Sequence, residues 1–179
     1  GEVIMAYYKS RGLRGSLLEE MINMSNEKYR ANNLALVQKI PTPIKPVEID
    51  GNGHITLAYF EQKSTVDYIG TVQGVPVCFD AKETSDTKFA LSNIHKHQID
   101  FMTNFEKQGG VSFLIIMFRH TDECFYLRYN ELMEYVKRAD NGGRKSIRYE
   151  EFDKKWLISQ YSGVTVHYLQ MLSMDLSMR

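Results

Sequence analysis

The sequence predicts an α/β fold, a mixed sheet flanked by helices, and three kinds of stretch predict it. Val75 to Lys82 alternates as a strand does, with Cys78, Asp80 and Lys82 on one face and Val77, Phe79 and Ala81 on the other. Val111 to Phe118 is apolar without interruption, which suits a strand covered on both faces. Leu17, Leu18, Met21, Ile22, Ser25 and Tyr29 recur at helical spacing, and so do Ile94, Phe101, Met102 and Phe105.

Composition bounds the rest. A chain of 179 residues, 43% hydrophobic and 25% charged, suits one domain with a substantial core. Formal net charge is zero, so there is no general attraction to a polyanion, and any such surface must come from local clusters of Lys and Arg. Cys78 and Cys124 have no metal-type spacing and lie in apolar runs, so free buried thiols in a reducing cytosol are expected. The run Val111 to Phe118 is far too short to cross a bilayer, and the first residues lack the apolar core of a signal peptide. A cytoplasmic protein without a membrane partner is therefore expected.

In chain order, residues 1–15 mix aromatics with Lys9, Arg11 and Arg14 and suggest a basic, partly mobile arm. Residues 16–179 then form one domain. Its first helix starts at Ser16, with Ser16 and Glu19 spaced as a capping box; Glu19 and Glu20 fit either the helix dipole or chemistry. Leu34 to Ile40 is a predicted strand. Pro41, Pro43 and Pro46 then impose an extended path to the turn Asp50-Gly51-Asn52-Gly53, and His54 to Phe60 is a strand again. Proline cannot donate to a ladder, so the insertion at about 41–58 should protrude. Val66 to Ile69 is a strand that returns through Gly70 and Gly74 into Val75 to Lys82. Ser92 or Asn93 is expected to cap the helix that ends near Lys107 at Gly109-Gly110. His95 and His97, two apart on a helix, should diverge and make no metal pair. Glu123 to Tyr129 is a strand, and Asn130 to Ala139 a helix with Leu132, Met133 and Val136 inward. Residues 140–148 form a flexible glycine turn with the cations Arg144, Lys145 and Arg148, suited to phosphate contact or merely solvated. Trp156 and the run from Val164 to Leu172 close the domain.

The chemistry concentrates between Thr65 and Glu83. If the hairpin folds Asp67 back toward Asp80, two carboxylates converge beside Lys82, in the pattern Asp, twelve residues, Asp-x-Lys. Such a set holds a hard divalent cation against a phosphodiester, with the ammonium near the attacking water. The same spacing also describes a solvated ion pair at a strand edge.

Taken together, several stretches resemble the RecU-type Holliday-junction resolvases of bacteria and their phages. They are Ser-Arg-Gly-Leu at 10–13, Leu-Glu at 18–19, Lys-Ile-Pro-Thr-Pro at 39–43 and the segment Ala58 to Gly70. Phe-Asp-Ala-Lys-Glu-Thr at 79–84, His-Lys-His-Gln-Ile at 95–99 and Gly-Arg-Lys-Ser-Ile-Arg at 143–148 complete the set. The resemblance implies a restriction-endonuclease-like mixed sheet with a protruding stalk, acting as a homodimer on four-way DNA junctions with Mg²⁺, or Mn²⁺, as cofactor. Thr65, Asp67, Asp80 and Gln98 match the family's metal positions, Lys82 its transition-state lysine, and Glu19 a helical acid that supports the site through a water. Arg11, Arg14, Lys45, Arg144, Lys145 and Arg148 are the candidates for phosphate contacts. A nucleoid-associated location and a recombinase partner fit this activity. The family usually carries Glu where this chain has Asp80, so the metal distance must be recovered by a small backbone shift or a bridging water. The rival readings are a junction-binding protein without turnover and a nuclease of ordinary duplex DNA.

Overall fold

The computed structural model describes residues 16–41, 43–60, 65–160 and 163–179, and it is a three-layer α/β arrangement. A five-stranded sheet contains β1 (Leu36–Lys39), β4 (Tyr68–Val72), β5 (Val75–Thr84), β7 (Val111–Phe118) and β8 (Glu123–Arg128), side by side in that order. β5 and β7 run parallel and every other neighbouring pair is antiparallel. Helices α1 (Leu17–Ala31) and α4 (Tyr168–Leu176) cover one face, burying Leu18, Ile22, Tyr168 and Met171 against Val77, Phe79 and Phe113. Helices α2 (Lys96–Lys107) and α3 (Tyr129–Asp140) cover the other, burying Met102 and Leu132 against Cys78, Leu114 and Ile116. All eight residues of β7 are buried, as a continuous apolar run demands.

One row of rings crosses the sheet on the α1 side. Tyr68, Phe79, Phe113 and Tyr126 stack at centroid distances of 4.7, 4.6 and 4.3 Å, and Trp156 continues the row 5.7 Å beyond Tyr126. The strand registers Tyr68↔Phe79 and Phe79↔Phe113 create it by setting rings opposite one another.

The proline-rich insertion is a separate antiparallel hairpin of β2 (Ile44–Ile49) and β3 (Ile55–Phe60). Every residue of β2 is exposed, and Val47, Ile49, Leu57 and Tyr59 are about half exposed. The Asp50 carboxylate closes the turn by accepting from Asn52 and His54 N–H, and Gly53 takes φ +83°. Lys45 is exposed on this hairpin.

Three local expectations are corrected. Neither Ser92 nor Asn93 caps α2: Leu91–Asn93 is a 3-10 turn, Ile94 is extended and buried, and His95 is the cap residue. Burying Ile94 beside Met102 and Phe89 delays the helix by two residues. Because His95 therefore lies outside the helix, its ring does not diverge from that of His97; the two stack at 5.4 Å. The turn at 140–148 is also not a loose basic loop: β9 (Ser146–Arg148) pairs with β6 (Lys88–Ala90), and Arg144 is ion-paired to Glu151 at 2.6 Å. Both cysteines are free and buried, and burial pushes each thiol up to about 12.

Candidate functional site

The site is built where β4 begins and β5 nears its end. Tyr68 is the first residue of β4 and pairs with Phe79, so Asp67 stands just ahead of the ladder, opposite Asp80. Each aspartate takes a backbone donor from the other's strand. Asp67 N–H donates to Asp80 Oδ1 at 2.7 Å, and Ala81 N–H donates to Asp67 Oδ2 at 3.0 Å. This exchange fixes both carboxylates through backbone donors. The Asp67 carbonyl in turn accepts from Ile40 N–H at 2.8 Å, which ties the site to the base of the β2–β3 hairpin.

Asp80 is fully buried. Lys82 Nζ lies 3.2 Å from Asp80 Oδ2 and pairs with it as an ion, while the Asp67 N–H is spent on the other oxygen. Burial, and then the neighbouring Asp67 charge, push the Asp80 carboxyl up to about 6, against the pull of Lys82 and the Asp67 N–H. The Lys82 ammonium offsets only part of the cost of burying this carboxylate, whose pKa stays raised, so a further cation beside it would be favourable. Two aspartates fixed this way offer hard oxygen ligands, so they fit Mg²⁺ or Mn²⁺. Among the described residues no group of three or more His, Cys, Asp and Glu side chains converges.

The other predicted residues are placed as follows. Thr65 is half-buried in the bend that leads to Asp67. Gln98 is buried in the first turn of α2, where its Oε1 accepts from His95 N–H at 3.0 Å. Glu19 is in the first turn of α1, where Ser16 Oγ accepts from its N–H at 3.2 Å. Its carboxylate does not complete a capping box but binds Lys39 Nζ of β1 at 2.5 Å. Arg144 is ion-paired to Glu151, while Lys145 and Arg148 are exposed. Arg11 and Arg14 lie outside the described residues.

Glu83 was missed by sequence reasoning. It follows Lys82, on the β5 face that carries Val77, Phe79 and Ala81, and it accepts from Leu18 N–H of α1 and from Arg119 Nη1, both at 2.8 Å. A carboxylate in register with three apolar residues was the available signal. It satisfies an orphan amide at the start of α1 and so fastens the helix bearing Glu19 to the strand bearing Asp80. Burial pushes its carboxyl up, yet Leu18 N–H, Ser16 and Arg119 together hold it below the usual carboxylate range. Its stabilising effect is therefore fully present above the ordinary value of about 4.5 and is lost as pH falls through and below that value. Glu83→Ala is expected to lower stability by about 1–3 kcal/mol at neutral pH. Urea unfolding of both proteins should show that difference shrinking once the pH is below about 4; a gap of constant size would remove Glu83 from this role.

Comparison with known proteins gives the chain a family. The family model described as "Recombination protein U" (RecU) matches residues 13–174. A protein of Pediococcus pentosaceus named Holliday junction resolvase RecU is 41% identical over 155 residues, covering 84% of this chain and 77% of that one. A protein of the same name from Leuconostoc mesenteroides is 41% identical over 164 residues, covering 88% and 79%. The solved structure of Hjc, a Holliday junction resolvase from Archaeoglobus fulgidus, aligns with a TM-score of 0.45 at 8% identity, covering 77% of this chain and 91% of Hjc.

Proposed function

The chain belongs to the RecU family, and from that premise we propose that it is a Holliday junction resolvase, a metal-dependent endonuclease that nicks opposing strands of a four-way DNA junction. The observation that carries this is the reciprocal lock between Asp67 and Asp80, with a fully buried carboxylate beside the Lys82 ammonium.

Asp67 and Asp80 would hold the Mg²⁺ or Mn²⁺ ion, with Thr65 and Gln98 completing its shell. An amide oxygen has two lone pairs, so Gln98 can keep its bond to His95 while taking part. When bound, such an ion supplies Lewis-acid polarisation of the phosphate and a more acidic water. The Lys82 ammonium orients the water and stabilises the charge that builds on the phosphate oxygens during in-line attack. Glu19 supports the site at a distance, through a water.

A four-way junction has two-fold symmetry, so paired nicks require two sites related in the same way, which a homodimer provides. The β2–β3 hairpin is the stalk that enters the junction centre, and its base is bonded to Asp67 through Ile40. Work on recombination intermediates implies a cytoplasmic, nucleoid-associated protein that meets a recombinase. No helix among the described residues is long and apolar enough to cross a membrane.

The test is cleavage of a labelled mobile four-way junction and a linear duplex of the same sequence, with Mg²⁺ and with EDTA. Paired nicks on opposing strands of the junction alone, only with Mg²⁺, are expected, and shortening the hairpin should erase the preference. Equal cutting of the linear duplex would make it a general nuclease. Binding without cutting, reversed by Asp80→Glu, would make it a junction-binding protein.

A further inference from the structure

Beyond the end of β5 the chain builds a second feature. β6 and β9 form a two-stranded ribbon, anchored by Phe89 and Ile147, which are fully buried among the side chains of α2 and α3. The strands alternate, so the residues flanking those anchors face out. At one end the register sets Lys88 directly opposite Arg148, both exposed. Like charges facing across an antiparallel pair repel and weaken the ribbon.

The neighbourhood does have carboxylates, and they are used elsewhere. Glu151 binds Arg138 and Arg144, each at 2.6 Å, and its second oxygen also accepts from the Arg148 backbone N–H. Among the described residues neither Lys88 nor Arg148 has an acidic side chain as partner. Together with Thr87, Arg144, Glu150 and Glu151 they line one shallow basin. The basin adjoins the strand that carries Asp80 and Lys82: Thr84, the last residue of β5, donates its hydroxyl to the Lys88 carbonyl, and the Thr87 carbonyl accepts from Tyr149 N–H.

We propose that Lys88 and Arg148 are a two-cation grip for successive phosphates of the DNA strand that runs past Asp67, Asp80 and Lys82. This rests on the reading of the chain as a junction nuclease. It adds Lys88, which no sequence signal marked, and it sets aside Arg144, whose guanidinium is already held within the fold by Glu151. Two long cationic side chains rising from adjacent strands match a repeating anion, and their mutual repulsion is relieved when phosphates lie between them. The contact carries no sequence information. Glu150, an exposed acid of the same rim, opposes the DNA and sets the limit of the grip.

Binding decides the matter without metal or turnover. The affinity of the wild type, Lys88→Ala, Arg148→Ala and Glu150→Ala for a dye-labelled four-way junction is measured in EDTA from 50 to 200 mM NaCl. Each cation removed should weaken binding about 3- to 10-fold and reduce the slope of log K against log salt by about 0.9. Glu150→Ala should tighten binding, and the melting temperature of Lys88→Ala should match or exceed that of the wild type, because a repulsion has been removed. Unchanged affinity and slope in both cation variants, beside a wild type that binds, would overturn the grip while leaving the nuclease reading intact. A wild type that binds no junction at any salt would overturn both.

Discussion

Lys82→Ala is expected to reduce junction cleavage about a thousandfold while changing junction affinity by no more than about threefold. The ammonium is placed by the strand itself: Lys82 follows Asp80 by two residues, on the same side of β5, and is largely buried with its Nζ 3.2 Å from the aspartate. A donor held that way before substrate arrives needs no reorganisation when charge develops, which is why its loss falls on the chemical step and not on binding. Lys82→Arg should not restore the rate, since a planar fork cannot occupy the position of a compact ammonium. Single-turnover cleavage, with affinity measured in parallel, separates the two effects. The Asp80 carboxylate left behind loses its counter-charge, so the variant should also melt lower, and assays belong well below its melting point. A cleavage rate within threefold of wild type would exclude Lys82 from the chemistry.

Asp80→Asn should give changes of opposite sign, a cleavage loss of similar size and a more stable protein. Burial and the Asp67 charge raise the Asp80 carboxyl to about 6, so holding it ionised at neutral pH works against folding. The amide keeps an oxygen for the Asp67 N–H and removes the buried charge. A gain of about 1 kcal/mol is expected, equivalent to about 2–4 °C in melting temperature for a chain of this size. Differential scanning calorimetry above and below pH 6 checks it, because below that pH the native carboxyl is already neutral and the advantage should fade. A less stable variant would mean that the ion pair with Lys82, and not the cost of the buried charge, dominates the folding balance at Asp80.

The convergence of Asp67, Asp80 and Lys82 was legible because it depends on short-range rules. Two-residue alternation placed Asp80 and Lys82 together, and a hairpin with glycine punctuation returned Asp67 to them. The buried strand β7 and the protruding β2–β3 hairpin followed equally from an unbroken apolar run and from prolines around a strong turn. What escaped was set by contacts distant in sequence. Glu83 meets Leu18 across 65 positions and Glu19 meets Lys39 across 20, and neither pairing leaves a local trace. The cap of α2 was misplaced because burial of Ile94 outweighed the capping preferences of Ser92 and Asn93. The basic turn was misread because Glu151, which pairs with Arg144, lies beyond its end.

The aromatic row described above ends on the protein's single tryptophan. Trp156 is almost wholly buried, and the Arg128 guanidinium rests 4.8 Å over its ring. With the Tyr126 ring 5.7 Å from that indole, resonance transfer from tyrosine to Trp156 is the expected emission signature of the assembled sheet, and its loss should report separation of the α1 side.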